Sequence, residues 1–198
     1  MPEVYIIEDS APNAFAAGRD PKHSIVCATS GIIELMNDSE LEAVMAHEMG
    51  HVQNYDIRVS TIAFGLASAV ALISDLGLRL TFFSDDDDRE IQPIVYVVSF
   101  IAIILAPVIA LMIQMAISRQ REYLADATSA KNTSNPDAMI SALKKLEGHE
   151  RPMEKQSSAI SHMFFLNPLK PGFFSKMLST HPPLEDRIKR LEEEKSRF

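Results

Sequence analysis

From Ile91 to Ser118 no side chain carries a charge, and an earlier run, Val59 to Ser74, is charge-free as well. A helix rises 1.5 Å per residue, so about twenty apolar residues cross the hydrocarbon core of a bilayer. The later run exceeds that length. The earlier one reaches it when Asp75 and Arg79, four apart and able to pair, lie at the headgroups. Pro107 is tolerated within a membrane helix where neighbours satisfy the freed carbonyl. These runs predict a two-helix membrane hairpin, 57–83 and 91–118, inserted into an otherwise single domain spanning 1–198. Arg58 precedes the hairpin and Arg119 and Arg121 follow it, whereas Asp85 to Asp88 lie between its arms. Positive-inside logic therefore places both flanks on the cytoplasmic side of the plasma membrane, and the acidic loop outside.

The flanks carry the chemistry. His47-Glu48-Met49-Gly50-His51 places two imidazoles four residues apart, on one face of a helix. Two such ligands, with a carboxylate one residue after the first, form the H-E-x-x-H pattern of zinc peptidases. Glu48 is spaced to take a proton from water rather than to ligate the metal. The helical context is present. Asn37-Asp38-Ser39 supplies capping side chains, and Ser39-x-x-Glu42 reads as a capping box. Leu41, Val44, Met45 and Met49 recur at helical spacing, and Gly50 admits a closely packed neighbour. A catalytic zinc takes a third protein ligand and keeps an open position. Glu122-x-x-x-Asp126 supplies the candidate on the far side of the hairpin. Glu122 would complete the coordination, and Asp126 would accept the spare N–H of a ligand imidazole.

The rest of the chain predicts an α+β, mostly helical fold with a small N-terminal β-sheet. Residues 4–7 and 24–29 read as strands, and Asn13 to Phe15 leads into a hairpin through Gly18, Asp20 and Pro21. Cys27 is the only cysteine, set in an apolar strand, so no internal disulfide framework exists. The net charge of −8 and the lack of a basic cluster argue against nucleic acid as a partner. No cleavable signal peptide is visible at Met1. Asn135-Pro136 opens a helix to about Glu147, and Pro182-Pro183 opens a charged one from Leu184 to about Lys195. Between them, Met163 to Leu166 and Phe173-Phe174 form an irregular apolar segment, read as a lid, a substrate wall or a membrane-dipping piece. His23, His149 and His162 sit in loop-like surroundings and need no role.

His47-Glu48-x-x-His51 followed by Glu122-x-x-x-Asp126 resembles the gluzincin arrangement of zincin-like metalloproteases. The surrounding wording is similar to the HtpX-type membrane metallopeptidases, relatives of the CAAX prenyl proteases. It includes Met1-Pro-Glu-Val4, Pro12-Asn-Ala-Phe-Ala16, Ala28-Thr-Ser-Gly31, Glu40-Leu-Glu-Ala-Val44, Arg121-Glu-Tyr-Leu-Ala-Asp126 and Thr180-His-Pro-Pro183. That family usually carries two further membrane helices ahead of the stretch resembling Met1. This sequence has none, which reads as truncation or a shortened variant. The resemblance implies a zinc endopeptidase that cleaves misfolded or damaged membrane proteins. It points to the edge around Asn13, Ala14 and Phe15 for substrate backbone, and to His181 as a donor to the oxyanion. Two other readings stay open on sequence grounds: a catalytically silent zinc-binding membrane adaptor, and a CAAX-type prenyl protease. Two hydrophobic segments argue against the many-helix enclosure of the latter.

Overall fold

The computed structural model describes residues 2–82, 93–149, 153, 165 and 181–198. The acidic loop, most of the apolar segment after Met163 including Phe173-Phe174, and His162 lie outside the described residues. The backbone divides into two compact units, 1–58 together with 118–198, and 59–117.

In the first unit, β1 (Glu3–Ile7), β2 (Ala14–Asp20) and β3 (His23–Thr29) form a three-stranded sheet in the order β1-β3-β2. β2 and β3 make the antiparallel hairpin expected from the turn residues, whereas β1 runs parallel to β3. Gly18 allows that hairpin, with φ +148° and no room for a Cβ, which would lie 2.2 Å from the His23 carbonyl oxygen. Cys27, on the central strand, is buried and free, and burial raises its thiol pKa. A short helix, α1 (Ser30–Leu35), follows, capped by the Thr29 side chain. Sequence periodicity does not pick out so short a helix.

The motif helix is α2 (Asp38–Gln53). Its cap is Asn37, paired reciprocally with Glu40, two residues before the capping box read at Ser39. Both positions carry the sequence pattern. Glu40 prevails because its carboxylate is also held by Ser141 and Lys145 of α5 (Pro136–Leu146). Ile32, Met36, Val44, Met139, Leu143 and Leu146 form the main core with Ile188 and Leu191 of α6 (Leu184–Glu194). Each of the large members contributes roughly 1.5–3 kcal/mol through burial.

Two long helices carry the apolar runs. α3 (Asp56–Phe82) has 27 residues, and α4 (Pro93–Thr133) has 41 with Pro107 inside it. At 1.5 Å per residue these are about 40 and 60 Å long. Within the second unit the long side chains face outward: Ile62 and Phe64 are 63% and 64% exposed, and Leu72 and Ile73 each 69%. Both helices are long and apolar enough to cross a membrane. Asp75 and Arg79 pair at 2.8 Å, as their spacing predicts. α4 runs beyond its charge-free stretch as one helix, so Glu122 and Asp126 lie on its C-terminal part, within the first unit.

Candidate active site

α2 and the end of α4 pack closely because Gly50 has no side chain. A Cβ there would meet Thr128 Cβ at 3.3 Å and Ala125 Cα at 3.4 Å. The buried Ser129 hydroxyl donates to the Ala43 carbonyl at 2.6 Å, tying the same two helices together. This packing sets His47 and His51 against Glu122, three side chains drawn from residues 75 positions apart in sequence.

The three offer one donor atom each, all within 4.8 Å of one another. His47 Nε2 and His51 Nε2 are 3.1 Å apart, and Glu122 lies 3.7 Å from the first and 3.5 Å from the second. Two imidazole nitrogens and a carboxylate make the donor set of a catalytic metal centre. Glu48 is buried beside them, and its Oε1 has no hydrogen-bond partner among the described residues. Burial pushes the Glu48 carboxyl above the ordinary glutamate range, against the pull of His51 and His47. Burial pushes His47 down, yet Asp126 and Glu122 outweigh it and raise its pKa to about 9. The field at His47 therefore favours positive charge. A metal cation suits both the donors and that field.

A second set of carboxylates holds the imidazoles in place. Asp126 Oδ1 lies 2.9 Å from His47 Nδ1, leaving Nε2 turned toward His51 and Glu122. Asp126 is itself clamped by Arg187 of α6, with Nε at 2.8 Å and Nη2 at 2.6 Å, a bidentate pair. Arg187 is fully buried, and its Nη1 lies 3.5 Å from Glu122. Nearby carboxylates, Asp126 first, raise its pKa against burial, so it is a fixed cation. Sequence reading missed it because α6 looks like a solvated, charged helix. One signal was present: Leu184, Ile188 and Leu191 mark an apolar stripe, and Arg187 falls on that same face.

His181 sits with Nδ1 3.2 Å from Glu122 Oε2, at the rim of the donor cluster. β2 is an outer strand of the sheet, as the edge reading expects. Its Asn13 end is buried, with the amide nitrogen 3.8 Å from Met153 Sδ. Ala14 is buried too, and its carbonyl accepts the Phe165 N–H at 2.8 Å. Phe15 packs against Ala11 and Met153. The Phe165 ring meets the His47 ring edge-on at 4.9 Å and lies under the Arg187 guanidinium at 4.6 Å. Phe165 thus forms a wall of the donor cluster, within the segment for which a substrate wall was one reading.

The model of peptidase family M48 matches residues 1–195. The chain belongs to peptidase family M48. It is 57% identical over 198 residues to a protein named "Protease HtpX homolog" from Tropheryma whipplei (strain Twist), covering all of this chain and 68% of that protein. A protein of the same name from Streptococcus gordonii is 46% identical, covering 96% of this chain and 67% of the relative. Among solved structures, "Crystal Structure of S. mikatae Ste24p" superposes with a TM-score of 0.55 at 21% identity. That match takes in 97% of this chain and 47% of the other, so the chain spans about half of that protein's length and shares its fold. The mostly helical fold with a small sheet agrees with the sequence expectation. The M48 chain is a metalloprotease acting on polypeptides, with two helices of membrane-crossing length. The family implies a metal cofactor, and among the described residues the fitting cluster is His47, His51 and Glu122.

Proposed function

We propose that this M48 chain is a zinc endopeptidase at the cytoplasmic surface of the plasma membrane, cleaving misfolded or damaged membrane proteins. The convergence of His47, His51 and Glu122 beside the buried Glu48, whose Oε1 has no hydrogen-bond partner among the described residues, carries the reading. His47 Nε2, His51 Nε2 and a Glu122 oxygen would hold the zinc, with Asp126 fixing the orientation of His47. When bound, zinc supplies a Lewis acid that polarises the scissile carbonyl and acidifies water.

The chain's own groups supply the rest. Glu48 takes the proton of the attacking water and passes it to the leaving amine, as a buried carboxylate beside the donor cluster can do. His181, beside Glu122, donates to the oxyanion. The edge at Asn13, Ala14 and Phe15 receives substrate backbone by strand addition. Supporting this, Asn13 O accepts from Thr29 N–H toward the sheet, so the next carbonyl, Ala14, points outward. That outward carbonyl bonds the N–H of Phe165, so a substrate strand at this edge would displace Phe165 or add beyond it.

The hairpin of α3 and α4 would hold the site against the bilayer, with Arg58, Arg119 and Arg121 on the cytoplasmic side. Cysteines placed at 84–90 in a Cys27→Ser background should label from outside intact cells, and cysteines near Lys145 should not. Labelling of both from one side would remove the spanning hairpin. The test of the metal site is zinc content of purified protein. One zinc per chain is expected, with loss in His47→Ala, His51→Ala and Glu122→Ala. Full zinc and full casein cleavage in Glu122→Ala would overturn the ligand set.

A further inference from the structure

The two histidines of the donor cluster are supported by different partners. Asp126 and Arg187 back His47. Behind His51 stands Asp56, whose Oδ2 is 2.6 Å from His51 Nδ1. Asp56 is 2% exposed, and its other oxygen, Oδ1, lies 3.2 Å from Arg121 Nε. The order of groups is the same on both sides: arginine, aspartate, imidazole Nδ1, with Nε2 turned inward.

The backbone works to bring Asp56 there. α2 ends at Gln53, and Tyr55 adopts φ +56°, a left-handed conformation that costs a non-glycine residue roughly 1–2 kcal/mol. The chain reverses through this residue, and Asp56 opens α3 facing back onto His51. The Tyr55 ring lies under the Arg58 guanidinium at 4.6 Å. Backbone strain kept next to a site, where a simple helix continuation would avoid it, marks a position the site depends on.

We infer that Asp56, steadied by Arg121, is the positioning residue for His51. It accepts the Nδ1 proton, fixes the tautomer that would free Nε2 for the metal, and holds the orientation of the ring. This rests on the zinc reading of His47, His51 and Glu122. Arg121 lies one residue before Glu122 on α4, so one turn of that helix both supplies a ligand and braces the support of another.

The test is zinc affinity of the full chain in detergent, stripped of metal and titrated against a chromogenic chelator. Asp56→Asn should bind zinc about 10–100-fold more weakly, and Asp56→Ala at least as weakly, since outer-shell partners of metal-binding histidines carry that much affinity. Arg121→Gln should lose less than Asp56→Asn. Cobalt-loaded Asp56→Asn should show altered visible bands, because the His51 ring is no longer held. Asp56→Asn also removes the charge that meets Arg121, so some loss of metal-free stability is expected. Arg121→Gln, which breaks the same bridge, should share that loss in thermal unfolding while keeping more zinc affinity, which a purely structural aspartate would not allow. Wild-type zinc affinity and an unchanged cobalt spectrum in Asp56→Asn would overturn the inference. So would failure of both Asp56 variants to fold. His51→Ala separates the two levels: if it retains zinc, the ligand reading fails. If it loses zinc while the Asp56 variants do not, only the positioning role fails.

Discussion

The two units of this chain invert one another. In the first, charged side chains are inside: His47, Glu48, Asp56, Glu122, Asp126 and Arg187 are all buried. In the second, apolar side chains such as Ile62, Leu66 and Met112 are outside. Each pattern is unfavourable in water alone. Buried charges are tolerated when they pair, and Asp56 and Asp126, which back His51 and His47, each also meet an arginine. Outward apolar helices are tolerated when lipid surrounds them, since their backbone bonds are satisfied within the helix. The inversion lets one chain carry polar chemistry and two helices of membrane-crossing length without the two competing for one core.

Breaking the pairing in the first unit should have the largest effect on stability. Arg187→Met leaves Asp126 and Glu122 buried without their cation, and removing one partner of such a pair costs about 3–5 kcal/mol. Thermal unfolding in detergent would read this directly. A small change would show that the carboxylates find water or another partner, and that the first unit is less closed than it looks. The reciprocal change introduces a charge into the second unit. Leu66→Arg should cost about 2.5–3.5 kcal/mol of membrane insertion, read as the fraction of chains that integrate. Unimpaired insertion would mean that α3 lies on the surface rather than across it.

Next in size is Asp126→Asn, which keeps the shape beside His47 and removes the charge. Zinc affinity should fall about 10–100-fold, or roughly 1.4–2.7 kcal/mol, in a chelator titration. Smallest is Gly50→Ala. Alanine favours a helix by about 1 kcal/mol, but its Cβ meets Thr128 and Ala125, and overpacking costs about 1–3 kcal/mol. A net loss of about 1 kcal/mol is expected by denaturant unfolding. A gain would show that α2 and α4 yield at their contact.

What sequence could and could not show follows from the range of each signal. The approach of His47 and His51 was legible because a spacing of four is a helix property, while Glu122 and Asp126 were readable as their partners only alongside that motif. The helix starts at Pro136 and Leu184 were legible through adjacent prolines. Arg187 was not, since its partner lies 61 residues away and its own helix reads as charged and exposed. Asp56 was hidden differently. It is five residues from His51, a spacing that brings no contact on a helix, and only the left-handed Tyr55 turn makes it one. The capping box was displaced for a similar reason: burial of Glu40 against Lys145 is a tertiary fact that chose between two equal local patterns.

The most direct measurement compares wild type with Glu48→Gln for zinc content and peptide cleavage in the same preparation. Glu48 is not among the three donors, and glutamine keeps its shape. Zinc at one per chain should persist while cleavage falls about 10²–10⁴-fold, the share general-base work contributes. Cleavage equal to wild type, in a preparation shown free of other proteases, would contradict the assignment of Glu48 as the base and with it the mechanism.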